Sequence, residues 1–128
     1  MNPFIRTITS ADPCERERPF HEIASAMPPA KLQRACEQLD RFRRDSGSLY
    51  DRVRASCFLY AAYRYFLPDA AGIRPTGEIP FSGFEHLLAR RFEEALSEFR
   101  EAIARQGPSA TVFSAMAAAY HQLAFQIL

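Results

Sequence analysis

The stretch RRFEEALSEFREAIARQGPSATVFSAMAAAYHQL, Arg90–Leu123, constrains this chain more than any other part of it. Its apolar residues fall at helical spacing, stop at Gly107-Pro108 and resume at helical spacing. Phe92, Ala95, Leu96, Phe99, Ala102 and Ile103 line one face of the first segment, with Glu93, Glu94, Glu98, Glu101 and Arg105 opposite. Phe113, Met116, Ala117, Tyr120, Leu123, Ala124 and Ile127 form the stripe of the second. Such spacing marks one buried face of an amphipathic helix. Gly107 suits the end of the first helix, and Ser109 can cap the second. Small residues at Ala95, Ala102, Ala117 and Ala119 let two helices approach closely while the neighbouring rings fill the space beside them. The pattern predicts an αα-hairpin.

The rest of the chain follows the same period. From Pro29, Leu32, Ala35, Cys36, Leu39 and Phe42 make one helical face, with Lys31, Arg34, Arg41 and Arg44 opposite and Gly47 as the stop. Ser48 opens SLYD, a variant of the capping box, and a helix runs from there to Leu67 before Pro68. Its second half is apolar nearly all round, which places it at the centre of the core. Ser82 heads a shorter helix, SGFE, with Phe84, Leu87 and Leu88 on one side. Residues 68–80 carry three prolines and two glycines and read as a long Pro/Gly loop. Residues 1–28 are interrupted by Pro3, Pro13, Pro19 and Pro28 and read as an extended N-terminal arm, docked through Phe4, Ile5, Phe20 and Ile23. No stretch alternates with period two. The expected fold is therefore all-α: about five helices in antiparallel hairpins within a single domain at 29–128.

The totals exclude several function classes. At 128 residues the chain is one domain long and needs no metal or disulfide to hold a core. Net charge is +1, too small to argue for nucleic acid or an anionic membrane as partner. Cys14, Cys36 and Cys57 are odd in number and share no close spacing, which points away from a disulfide framework and towards the cytoplasm. Cys36 and Cys57 read as small buried hydrophobes. The longest apolar run, Ala55–Leu67, contains Arg64 and is too short to span a bilayer. His21, His86 and His121 have no metal-ligand spacing, and no glycine-rich phosphate loop is present. Glu93, Glu94, Glu98 and Glu101 read as a solvated face. No catalytic, cofactor or metal motif emerges.

The hairpin resembles the tetratricopeptide repeat, a helix-turn-helix unit of roughly 34 residues that stacks into solenoids. In that family an aromatic followed three positions later by a small residue opens the second helix, and Phe92 and Ala95 stand so. Phe99 and Ala102 match the next such pair, and Phe113, Met116-Ala117 and Tyr120 fill the opening slots of a following repeat. One period earlier lie Ile79 and Gly83. Pro108 stands one place late, His86 replaces an aromatic, and Pro68 breaks any earlier unit. The resemblance covers residues 79–127 and implies a TPR-like, non-catalytic module for protein–protein interaction. Its concave surface would be built from the first helix of each repeat. Here that would expose Glu85, Arg90, Ser114, Ala118 and His121.

Three further expectations complete the reading. The apolar ending FQIL suggests a fragment of a longer protein, and hence the alternative of an accessory or regulatory helical domain of a larger enzyme truncated at Leu128. Ala118, Phe125 and Leu128 point away from the preceding hairpin, so a homodimer through 113–128 is expected, with Phe125 at its centre. Arg41, Arg43, Arg44, Arg52 and Arg54 form a weak basic patch, offset by Asp40, Asp45 and Asp51.

Overall fold

The prolines that break periodicity near the N-terminus start helices there. The computed structural model describes residues 2–70 and 72–126, Gln126 by its backbone alone. In it Pro3 and Pro13 sit in the first turns of α1 (Pro3–Thr9) and α2 (Pro13–Arg16), and α3 follows at Phe20–Ala24. Proline is at home in that position because its missing N–H would have had no helical partner. The Asn2 side chain accepts from the Phe4 and Ile5 N–H groups, and Asp12 accepts from that of Cys14. The extended arm expected for residues 1–28 is thus corrected to three short helices. They are docked as the apolar residues suggested: Phe4, Phe20 and Ile23 are buried and Ile5 is partly so. Asn2 Nδ2 also donates to the Ala35 carbonyl at 2.9 Å, fastening α1 to the next helix.

That next helix is α4 (Pro29–Asp45), followed by α5 (Leu49–Ala61), a π-helical turn at Ala62–Phe66, α6 (Phe81–Leu88), α7 (Phe92–Gln106) and α8 (Ala110–Gln126). Among the described residues there are eight α-helices and no strand, so the fold is all-α. The helix count exceeds the expected five by α1–α3. Ser48 accepts from the Asp51 N–H and Ser109 from the Val112 N–H, both at 3.3 Å, as N-caps should. Ser82 does not cap: α6 begins one residue earlier, after Pro80, and Ser82 Oγ donates instead to Glu98 at 3.0 Å.

α8 lies at the middle, between α7 on one side and α5 with the π turn on the other. Val112, Phe113, Met116, Ala117, Ala119 and Tyr120 are all buried, and Tyr63 of the π turn packs on Phe113 and Tyr120 at 5.3 and 5.6 Å between ring centres. The helix expected at the centre, 49–67, therefore shares that place with α8. It is also less uniformly covered than its composition suggested, because Cys57 and Tyr65 are exposed. The apolar excess of α8 narrows to Ala118 and Phe125, while Ile127 and Leu128 lie outside the described residues.

α6 and α7 meet closely at Gly83, where a Cβ would stand 2.7 Å from Phe99 Cε1. Only glycine allows that approach. The 68–80 connection is strapped to the α7–α8 turn: the Arg74 carbonyl accepts from the Ala110 N–H at 2.7 Å, and Gln106 exchanges hydrogen bonds with both backbone groups of Glu78. The start of α6 is thereby held against the turn that precedes α8.

Candidate functional site

Two depressions flank α8, and they differ in how their polar groups are partnered. The first is an open groove of about 500 Å³ between α6, α8 and the end of α5 with its π turn. α6 contributes Leu87 and Leu88, α8 contributes Ser114, Ala118, His121 and Gln122, and the third wall gives Tyr60 and Arg64. Arg90 closes one end. It is held there by a left-handed backbone, φ 63°, in a Schellman turn: the Arg91 N–H donates to the His86 carbonyl at 2.8 Å and the Arg90 N–H to Leu87 at 3.2 Å. This turn separates α6 from α7.

The groove's rim is aromatic and cationic. The His121 ring lies 5.0 Å from Tyr60 and 4.7 Å from Phe125, and Tyr60 meets Tyr65 edge-on at 5.9 Å. Neither Arg64 nor Arg90 pairs with a carboxylate among the described residues. Instead each guanidinium lies over a ring, Arg64 over Tyr65 and Arg90 over Phe92. The groove lining contains no carboxylate. Phe84 and Leu88 of the expected stripe are 46% and 69% exposed, and Phe81 at the start of α6 is 74% exposed, so α6 turns apolar side chains outward.

Of the six residues expected to meet a partner, Arg90, Ser114, Ala118 and His121 come together in this groove. Phe125 adjoins it through His121 and is exposed. Glu85 is exposed on α6 but does not line it. Tyr60 and Arg64 escaped the sequence reading because they reach the groove from a helix assigned wholly to the core.

The second depression, a cleft of about 360 Å³, lies between α4, α7, α8 and the π turn, over a buried ion cluster. Asp40 is 2% exposed, yet accepts from Arg43, Arg44, Arg100 and the Tyr120 hydroxyl, at 3.0, 3.0, 3.1 and 2.7 Å. Arg43, equally buried, grips Glu93 with both terminal nitrogens at 2.7 and 2.8 Å. Burial opposes the charge on Asp40, but the Arg43 and Arg100 guanidinium groups and the Tyr120 hydroxyl outweigh it and hold its carboxyl below the usual range. The Arg43 hydrogen bond holds that of Glu93 down against the cost of burial. Burial, then Tyr63 and Asp40, keep the Tyr120 phenol protonated as a donor.

This cluster corrects two expectations. The basic patch is broken up: Arg43 is buried, Arg44 turns to Asp40, and Arg54 donates to the Arg16 carbonyl and the Tyr50 hydroxyl, 4.9 Å over Phe58, while Arg41 and Arg52 stay exposed. Glu93 is not part of a purely solvated face but half of an inter-helix ion pair. A signal was present. Leu32, Cys36, Asp40 and Arg43 continue one helical stripe, and a carboxylate on an apolar stripe requires a buried cation beside it.

Neither depression offers a metal site, since no group of three or more His, Cys, Asp or Glu among the described residues could hold an ion. Cys36 is buried, and burial together with Glu37 pushes its thiol far above its ordinary range, so it acts as a packing residue. No helix among the described residues is long and apolar enough to cross a membrane. No family model matches the chain, and none of the curated proteins or solved structures matches it either.

Proposed function

We propose that this chain is a non-catalytic, TPR-like helical module that binds a protein partner in the groove between α6 and α8. The observation that carries the reading is the groove's composition: an apolar floor, two arginines without carboxylate partners, and no acidic residue in its lining. In a repeat reading α6 and α8 are the first helices of successive hairpins, and a solenoid presents its concave surface on those helices. Gly83 and the buried Ala95 and Ala102 allow the close hairpin packing such a unit needs. The free thiols, two of them exposed, favour a cytoplasmic setting.

The partner chemistry follows from charge. A segment that lays apolar side chains over Leu87, Leu88 and Ala118 while offering Asp or Glu to Arg64 and Arg90 would satisfy both parts of the groove. A second copy of the same face would set arginine against arginine, so self-association through Phe125 is the weaker reading. Selection of displayed random peptides against the chain tests this. Acidic amphipathic sequences are expected to enrich and to lose binding to the Arg64→Glu/Arg90→Glu variant. Enrichment of peptides that bind that variant equally well would overturn the reading. Sedimentation at several concentrations tests the alternative: a dimer that Phe125→Glu dissociates would support it.

A further inference from the structure

The second cleft carries one feature that the ion cluster does not use. Tyr63 is only 3% exposed, and its hydroxyl makes no hydrogen bond to any described residue. Yet no fully buried side-chain oxygen or nitrogen among the described residues lacks a partner. The Tyr63 hydroxyl must therefore keep a small accessible surface, and the space that Tyr63 lines is the cleft. A phenol buried to this degree ordinarily finds a partner. It is set there by the π turn, a geometry that recurs at functional sites.

The charges around the cleft are also incompletely matched. Arg41, Arg44 and Arg100 line it, against Asp40 and Glu37. Asp40 is saturated, since its two oxygens accept from three arginines and Tyr120. It takes only the Nε–H of Arg44 and one Nη–H of Arg100, and a guanidinium has five such donors. The remaining donors, with those of the exposed Arg41, leave the cleft short of one negative charge. Ile103 and Met116 give it an apolar floor, and its volume suits a ligand of few atoms.

We propose that this cleft is a binding site for a small organic carboxylate, held by the unused donors of Arg44 and Arg100, the Arg41 side chain and the Tyr63 hydroxyl, with a short carbon body over Ile103 and Met116. Planar guanidinium groups take a carboxylate's two oxygens bidentately, and the apolar floor of Ile103 and Met116 favours an anion that carries a carbon body. The site is separate from the α6–α8 groove and does not depend on a partner there.

Titration of the full chain with sodium butyrate, followed by NMR of the arginine Nε–H groups and the tyrosine rings, tests the proposal. Sodium chloride and inorganic phosphate at matched ionic strength are the comparison arms. Saturable shifts at Arg44, Arg100 and Tyr63, with a Kd on the order of 1 mM or tighter, are expected for butyrate alone. Tyr63→Phe should weaken binding roughly tenfold, the loss of one hydrogen bond to a charged group, while the melting temperature stays unchanged because that hydroxyl has no partner to lose. Arg41→Gln, at an exposed position outside the ion cluster, should weaken it as well and serves as the second variant. Shifts that grow linearly and match those of chloride, an affinity untouched by Tyr63→Phe, or saturation by phosphate in preference to butyrate would each overturn the assignment.

Discussion

The two depressions beside α8 share that helix and the π turn but settle their polar groups in opposite ways. Beneath the cleft Asp40 and Arg43, each 2% exposed, are satisfied by one another and by α7 and α8, while Arg41 and Arg44 at its mouth stay exposed. In the groove the two arginines lie over aromatic rings, and the apolar wall of α6 faces outward. The cleft uses its buried acid to hold helices together; the groove has no acid in its lining and keeps an apolar wall exposed. Stability and recognition should therefore respond to different residues.

The sharpest break of this comparison is Asp40→Ala. It leaves Arg43 with Glu93 alone, strips a partner from Arg44 and Arg100, and orphans the Tyr120 hydroxyl. Removing one member of a buried ion cluster costs about 3–5 kcal/mol, which urea unfolding would register as a large fall in midpoint. A loss below about 1 kcal/mol would mean the cluster is ornamental. Next in size is Gly83→Ala, whose methyl meets Phe99 and must push α6 off α7. Roughly 1–3 kcal/mol is expected from such overpacking, and the variant should also weaken groove binding by moving Leu87 and Leu88.

Acid should loosen the ion cluster beneath the cleft. The carboxyls of Asp40 and Glu93 are held below their ordinary range, so their contribution is fully present above the unfolded-state pKa values near 4 and is lost as pH falls through the folded values. Melting curves between roughly pH 6 and 2 should show stability falling below about pH 4, with that slope reduced in Asp40→Asn. The smallest effect is Leu88→Gln. At 69% exposed it should change stability by less than about 0.5 kcal/mol while reducing groove binding. A stability loss above 1 kcal/mol would show that α6 is held by more than Gly83 and the strap.

Periodicity revealed α4, α7 and α8 because each buries a face at 3.6-residue spacing, as Leu32, Leu39, Phe92, Phe99, Phe113 and Tyr120 show, whereas α6 carries a like stripe but buries only Gly83. α1 and α2 were hidden for a physical reason. Helices of seven and four residues have too few turns to display a stripe, and their prolines read as breaks unless Asn2 and Asp12 are recognised as caps. Part of the groove was legible, since Ser114, Ala118 and His121 occupy the gaps between core positions of α8 and Arg90 follows the end of α6. Tyr60 and Arg64 were not, because composition alone suggested a segment buried on every side. The cleft stayed illegible as a site, since nothing local shows that Arg100 will meet Asp40 across sixty residues.

The π turn has a consequence for how this chain tolerates change in length. Leu67 donates its N–H to the carbonyl of Ala62, one residue further back than an α-helix would allow. The turn therefore holds the equivalent of a single-residue insertion, and it lets Leu67 be sealed inside while Tyr65 stands 62% exposed. Deleting one residue between 62 and 66 would restore a regular helix and keep the register beyond it, but would lose the widened turn that sets the residues within it. Tyr63 and Arg64, neighbours in sequence, serve the cleft and the groove respectively, so the same deletion would misalign both. This short segment, with α8, is where the two concavities are geared together.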